Sequence, residues 1–169
     1  MKTTYEKYCD LGIDGSLISL EATLDVFPYF CYPVNARAIG TEGSILYCFI
    51  EPYGDMVFAC NPDSCADTYV YPLAKTFDDF IALILSSGSA NPVEQIVWMR
   101  KEQFTQHLDE ENSIRTKQQI EVLQQIQEKL SILPMSAPYD YVKRIQSEFD
   151  SSKIEFSDEY YDVLGIEKE

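Results

Sequence analysis

The chain has 169 residues, 46% of them hydrophobic, and a formal net charge of −15 from 28 acidic and 13 basic side chains. This length supports one hydrophobic core without disulfides or metals, so a single domain is expected. The negative charge disfavours direct binding to nucleic acid or to a membrane surface, because both attract basic proteins. No apolar run reaches the roughly 18 residues of a membrane span, and the start of the chain lacks a signal-peptide pattern, so a cytoplasmic location is expected.

The five cysteines are odd in number and have no repeated spacing. Cys48 and Cys60 lie in apolar runs, where a reduced cysteine behaves as a small hydrophobic residue. Cys60 and Cys65 are the closest pair, but a structural zinc site usually needs a second pair of Cys or His ligands. The sequence therefore predicts free thiols, no metal site and no cofactor.

Alternating turn signals and apolar runs predict strands in the first half. Ser16–Leu20 is interpreted as a short strand. Ser44–Ile50 is continuously apolar, which is typical of a strand covered on both faces. Pro52–Asp55 then marks a turn and Met56–Cys60 resumes the apolar pattern, which predicts an antiparallel hairpin with Gly54 in a left-handed conformation. A third strand, Thr68–Tyr71, should end at the following proline or lie at a sheet edge.

Helical patterns follow. Thr76 is a predicted N-cap, with Asp79 three residues later, and an apolar stripe then runs to a stop at Ser86–Gly88. The next helix should begin at Pro92 and continue to Leu108. Its predicted inward residues are Val93, Ile96, Val97, Phe104 and Leu108, and a break is expected at Asp109–Asn112.

Two further helices are predicted near the end of the chain. One begins near Ser113 and ends before Pro134, with Leu123, Ile126, Leu130 and Leu133 inward. The other begins at Pro138, with Val142, Ile145 and Phe149 inward. Lys153–Phe156 is interpreted as a short strand.

Strands precede helices without βαβ alternation, which predicts an α+β fold: an antiparallel sheet with helices packed against it and a mostly helical C-terminal half. Residues 1–169 should form one domain, with a helical extension over about 91–169.

Few residues suggest catalysis. His107 is the single histidine, and no nucleophile or phosphate-binding loop accompanies it, so a surface or capping role is expected. Carboxylates are numerous, which leaves a hydrolase of unrecognised type as an alternative. We expect no catalytic residues.

Two segments favour a protein interface. The first is the hairpin with its following loop, and the second is the acidic C-terminal tail, Glu148–Glu169, where aromatic side chains stand among eight acids and two lysines. Aromatic anchors with a charged rim are typical of protein interfaces. The predicted partner-binding residues are Glu51, Tyr53, Asp55, Asp63, Asp67, Asp158, Glu159, Tyr160, Tyr161 and Asp162. In the alternative interpretation the aromatics dock the tail, the acids are solvated, and the loop residues form turns.

The central part of the chain resembles the SUKH superfamily, which includes yeast cell-wall-synthesis regulators and bacterial immunity proteins. The resemblance covers residues 44–89 and is carried by Met56–Asn61, Val70–Ala74 and the helix start Thr76–Ile81. It implies a domain that binds and blocks a cognate toxin, often a nuclease, whose basic cleft an acidic inhibitor can fill. A regulatory or scaffolding protein of the same fold is the alternative. The sequence does not indicate an oligomeric state.

Overall fold

The computed structural model describes residues 1–22 and 25–168. A sheet of four strands forms the centre, and each strand is antiparallel to its neighbours in the order β1-β2-β3-β4. The strands are β1 (Ala36–Glu42), β2 (Ile45–Ile50), β3 (Val57–Cys60) and β4 (Val70–Ala74).

Seven α-helices lie in the described residues, and most of them follow the sheet in the chain. They are α1 (Thr4–Asp10), α2 (Phe77–Ser87), α3 (Ala90–Gln95), α4 (Lys101–Ile114), α5 (Lys117–Leu130), α6 (Pro138–Glu148) and α7 (Asp158–Leu164). This architecture confirms the predicted α+β class and the mostly helical C-terminal half. Within the described ranges, no helix combines the length and apolar character needed to cross a bilayer.

The sheet is buried on both faces. Side chains such as Tyr47 and Phe49 join the core formed with helices α1 to α6. Leu46, Cys48 and Ile50 point to the opposite face, because successive side chains of a strand alternate. That second face is covered by non-helical segments around residues 26–34 and 149–156. The prediction that β2 is covered on both faces is therefore confirmed.

The predicted hairpin is also confirmed. Strands β2 and β3 pair directly. Gly54 in their connection has a φ of +64° and a ψ of −124°, so it is not in the predicted left-handed helical conformation, although glycine adopts this backbone without strain. The third strand is shifted from the predicted Thr68–Tyr71, because β4 begins at Val70 and continues through Pro72 to Ala74. Since β4 is the last strand of the sheet, the proline can lie there without interrupting a second ladder.

Two predicted strands are wrong. Ser16–Leu20 lies largely in a 3₁₀ turn, Gly15–Ile18, which the Asp14 carboxylate starts by accepting a bond from the Ser16 N–H at 3.1 Å. A side chain at Gly15 would place its Cβ 2.0 Å from the Leu20 carbonyl oxygen, so the turn requires glycine. Lys153–Phe156 follows another 3₁₀ turn, Ser151–Lys153, and forms no strand.

The predicted starts of α2 and α6 are confirmed, whereas α3 begins at Ala90 and α5 at Lys117, away from the starts predicted at Pro92 and near Ser113. Thr76 Oγ1 accepts a bond from the Asp79 N–H at 3.1 Å, as predicted for the cap of α2. The expected helix from Pro92 to Leu108 is instead two helices, because α4 starts anew at Lys101, where Gln103 accepts a bond from the Arg100 N–H. The expected break at 109–112 lies inside α4, since its exposed polar residues can continue a helix.

The inward-facing predictions are largely correct. Val93, Ile96 and Phe104 are buried, whereas Val97 and Leu108 are half-buried. In the last two predicted helices the buried residues are Leu123, Ile126, Val142 and Ile145. Leu133 was predicted to face inward but is 76% exposed, because α5 ends at Leu130.

Candidate partner-binding site

The hairpin tip is joined to the C-terminal tail. Glu51 and Asp55 are exposed, as predicted, whereas Tyr53 is half-buried. The Tyr53 hydroxyl donates to the Asp150 carbonyl oxygen at 2.7 Å and accepts from the Lys153 N–H at 3.0 Å. The tyrosine therefore fixes the tail to the hairpin, which is an internal role that the sequence did not indicate.

The loop after β3 carries two exposed acids, Asp63 and Asp67. Asn61 Oδ1 accepts a bond from the Asp63 N–H at 2.9 Å, which is the side-chain bond of an Asx turn. Ser44 Oγ also donates to the Asp63 carboxylate at 3.3 Å. Asp63 thus takes part in the turn through its N–H, and its side chain remains exposed.

The tail ends in α7, where Asp158, Glu159 and Asp162 are exposed and the two tyrosines are half-buried. The Tyr160 ring stacks on Phe156 with centroids 3.7 Å apart and planes within 8°. This stacking lies within the tail, and Phe149 and Phe156 pack against the second face of the sheet, in agreement with the alternative interpretation. The three acids remain exposed to solvent.

Aromatic contacts bring the tail and the loop to the same side of the sheet. The Phe30 ring lies 5.1 Å from Tyr69 of the loop and 6.5 Å from Tyr160 of α7. The Val34 N–H also donates to the Glu155 carbonyl oxygen at 2.8 Å. Residues 30–34 therefore connect two regions that the sequence analysis treated separately.

The resulting surface is strongly acidic. We define the acidic face as the outer surface of residues 51–69 and 148–168, which contain eleven acids and two lysines, Lys153 and Lys168. These segments carry nine of the fifteen net negative charges of the chain. Glu169, the remaining acid of the predicted tail, lies outside the described residues.

The acidic face contains a concave region. A groove with a volume of 970 Å³ is lined by Val34, Ser152, residues 154–158, Tyr161 and residues 166–168. A second cavity of 420 Å³ adjoins it and shares Val34 and Ser157. We call the larger one the tail groove. It combines exposed apolar side chains with carboxylates, so its surface suits a chain segment that carries both apolar and cationic groups.

A buried polar cluster lies on the opposite side of the sheet. Tyr47 and Tyr71 lie in one row of the sheet with Gly40 and Ala59. The Tyr71 hydroxyl donates to Glu94 Oε1 of α3, a residue only 2% exposed. Burial and the nearby Glu94 carboxylate raise the pKa of Tyr71, so the hydroxyl remains a donor.

Further contacts complete the cluster. Asn61 Nδ2 also donates to Glu94 Oε1, at 3.0 Å, and Asn91 Nδ2 donates to Glu42 Oε1 at 2.6 Å. The fully buried Tyr47 hydroxyl has no hydrogen-bond partner among the described residues. Neither carboxylate lines any of the five cavities described for this chain. The bonds to Glu94 join the sheet and the loop after β3 to α3.

Replacing Glu42 by glutamine should stabilise the protein more at pH 7.5 than at pH 4.5. Burial raises the pKa of Glu42 above its ordinary value of 4.5. Such a group stabilises the fold while protonated, and this contribution is lost as the pH rises through the folded-state pKa. Glutamine keeps an acceptor for Asn91 without the charge. Urea unfolding of both proteins across this pH range measures the difference.

Glu128→Gln is the matched control, because Glu128 is exposed on α5 and the change in charge is the same. If the free energies of unfolding of wild type and Glu42→Gln differed by the same amount at every pH, burial of the Glu42 charge would not explain the difference.

The histidine and the cysteines considered in the sequence analysis lie in a helix, in the core and in a loop. His107 lies in the middle of α4 and is half-buried, so it does not cap the end of the helix. Cys48 and Cys60 are buried with their sulfurs 3.7 Å apart, and Cys65 is an exposed loop thiol. In the described ranges, no group of three or more His, Cys, Asp or Glu residues is arranged to hold a metal ion.

Comparison of the chain with protein-family models, with curated proteins and with solved structures finds no match.

Proposed function

We propose that this chain is a non-catalytic, protein-binding domain of the immunity type, which acts in the cytosol and neutralises a cognate toxin that has a basic surface. The observation that carries the proposal is the segregation of charge on the acidic face, where eleven acids lie with two lysines. An acidic surface speeds encounter with a basic protein and opposes binding to nucleic acid. The resemblance of residues 44–89 to the SUKH superfamily supports the same function, and it rests on the residues of that central block alone.

The proposal is tested by capturing the partner in the native cell. A photo-cross-linking amino acid at Glu159 should trap a basic protein, whereas the same group at Glu128, exposed on α5, should not. The trapped protein is then purified, and its toxic activity should disappear at one equivalent of this chain. A trapped host protein whose activity is unchanged would favour the regulatory or scaffolding alternative. A purified chain that turns over a small molecule would favour a hydrolase.

Reversing three charges of α7 should slow association with the trapped protein. The variant Asp158→Lys, Glu159→Lys, Asp162→Lys should lower the association rate roughly tenfold or more at low salt, because long-range attraction steers encounter. The difference should shrink as salt is added. Stopped-flow or surface-based kinetics at two ionic strengths measure both effects.

The control reverses Asp109, Glu110 and Glu128, which are exposed on α4 and α5 and outside the acidic face. Neutral variants (Asp158→Asn, Glu159→Gln, Asp162→Asn) separate loss of charge from weakening of the first turn of α7 by lysine. Equal rates for the two reversed variants would exclude the tail as the steering surface.

A further inference from the structure

The tail groove holds exposed apolar side chains in one concave place. Val34 is 60% exposed and Ile166 is 51% exposed, and both line the groove together with Ile154 and Phe156. Single exposed apolar residues are common on protein surfaces and need no explanation. In contrast, several such residues converge in one groove of 970 Å³. Clustered apolar surface surrounded by polar groups is typical of a binding site.

A cationic side chain of the protein already occupies the groove. Lys168 Nζ lies 3.2 Å from Asp158 Oδ1 and 6.0 Å from the centroid of the Tyr161 ring. A carboxylate beside an aromatic ring is an arrangement that recognises a cation. Both partners of this ion pair are well exposed, with side-chain exposures of 57% and 87%. Exposed pairs contribute little, so another cation can displace the lysine.

The charges around the groove favour a cation over an anion. Glu155, Asp158 and Glu167 line it, against the single ammonium of Lys168. An arginine fits this surface better than a second lysine, because a planar guanidinium can bind a carboxylate through two N–H groups and stack on a ring at the same time. Its aliphatic stem would lie against the apolar side chains.

We propose that the tail groove binds an arginine-bearing extended segment of a basic partner protein, and that Lys168 holds the cation position until the guanidinium of the partner displaces it. This inference rests on the proposed function, because it names the chemistry that the acidic face recognises. Lys168 acts as an internal competitor that weakens binding of other cations. A segment without arginine gains the apolar contacts but leaves the lysine in place.

The test uses a blocked peptide, acetyl-Ala-Leu-Arg-Leu-Ala-amide, and its citrulline analogue, which keeps the shape but not the charge. Titration of the full chain, followed by backbone amide NMR shifts, should perturb residue 34 and residues 154–168 with the arginine peptide. Lys168→Ala should tighten binding about two- to fivefold and Asp158→Asn should weaken it by a similar factor, which are the effects of losing one exposed charge interaction.

The matched controls are Lys2→Ala and Asp10→Asn. These residues form another exposed pair, Lys2 Nζ to Asp10 Oδ2 at 2.5 Å, outside the groove. Their replacement changes the net charge equally and should leave the affinity unchanged. Equal tightening by Lys2→Ala and Lys168→Ala would overturn the inference, since total charge would then explain the result. Equal binding of the citrulline peptide would also overturn it.

A second copy of the chain is the competing occupant of the groove. Shifts at the same residues that grow with protein concentration, without peptide, would assign the groove to self-association and overturn the inference. The affinity of the purified cross-linked partner is also measured for wild type and for the groove variants Lys168→Ala and Asp158→Asn. A partner that binds wild type, Lys168→Ala and Asp158→Asn equally would leave the proposed function standing and remove the groove from it.

Discussion

Replacing Tyr71 by phenylalanine should lower the free energy of unfolding by about 2 to 3 kcal/mol. The Tyr71 hydroxyl donates to Glu94, which is 2% exposed, and the remaining donor to the same oxygen is Asn61. Removing one partner of a buried carboxylate costs more than the net value of the bond, because the carboxylate stays desolvated. Urea unfolding at neutral pH measures the loss as a shift of the midpoint at constant slope.

Tyr47→Phe provides the control within the same row of the sheet. Tyr47 is as deeply buried as Tyr71, but its hydroxyl has no partner among the described residues. Deleting it should leave the free energy of unfolding unchanged within about 1 kcal/mol or raise it, since an unpartnered buried hydroxyl is unfavourable. Similar losses for the two variants would show that ring packing, and not the bond to Glu94, dominates at Tyr71.

Replacing Phe149 by alanine should lower the free energy of unfolding by about 2 to 3 kcal/mol and loosen the tail. The Phe149 ring contacts Phe58 at 5.3 Å and Tyr53 at 5.2 Å between centroids, on the second face of the sheet. A fully buried ring would cost about 3 to 5 kcal/mol, and this half-buried one should cost less. Hydrogen exchange should accelerate at the Val34 amide, which donates to the Glu155 carbonyl oxygen of the tail, and at the Lys153 amide of the tail, which donates to the Tyr53 hydroxyl oxygen.

The control for Phe149 is Leu133→Ala, because Leu133 is apolar but 76% exposed. Its loss should change the free energy of unfolding by no more than about 0.5 kcal/mol. Unchanged exchange at Val34 in Phe149→Ala would mean that the tail is held by its hydrogen bonds alone.

The elements that could be predicted from sequence are those whose signals are local. Strands β2 and β3 are continuous apolar runs with a proline-glycine turn between them, and α2 has its cap, apolar stripe and terminal glycine within thirteen residues. These patterns reflect backbone and burial preferences of neighbouring residues. In contrast, α1 and β1 are short or mixed in polarity and gave no clear periodicity.

The site depends on contacts between residues far apart in the chain. The Tyr53 hydroxyl bonds to groups 97 and 100 residues away, and Asn35 reaches the Lys153 carbonyl oxygen over 118 residues. Patterns among residues that are adjacent in sequence do not predict such distant pairs. The exposed acids could be predicted because charged side chains rarely occupy the core, whereas the docking role of Tyr53 and Tyr160 could not, since tyrosine suits both an interface and a core.

The C-terminal tail also covers the second face of the sheet, where Phe149, Ile154 and Phe156 pack against the cluster that contains Phe58 and Cys48. A partner that peeled it away would expose a dry, aromatic-rich surface to water and lose the corresponding hydrophobic free energy. In the proposed complex, recognition would therefore occur on the outside of a segment that stays folded, and the docking geometry would exist before the partner arrives. Such preorganisation lowers the entropy lost on association and favours a tight, long-lived complex.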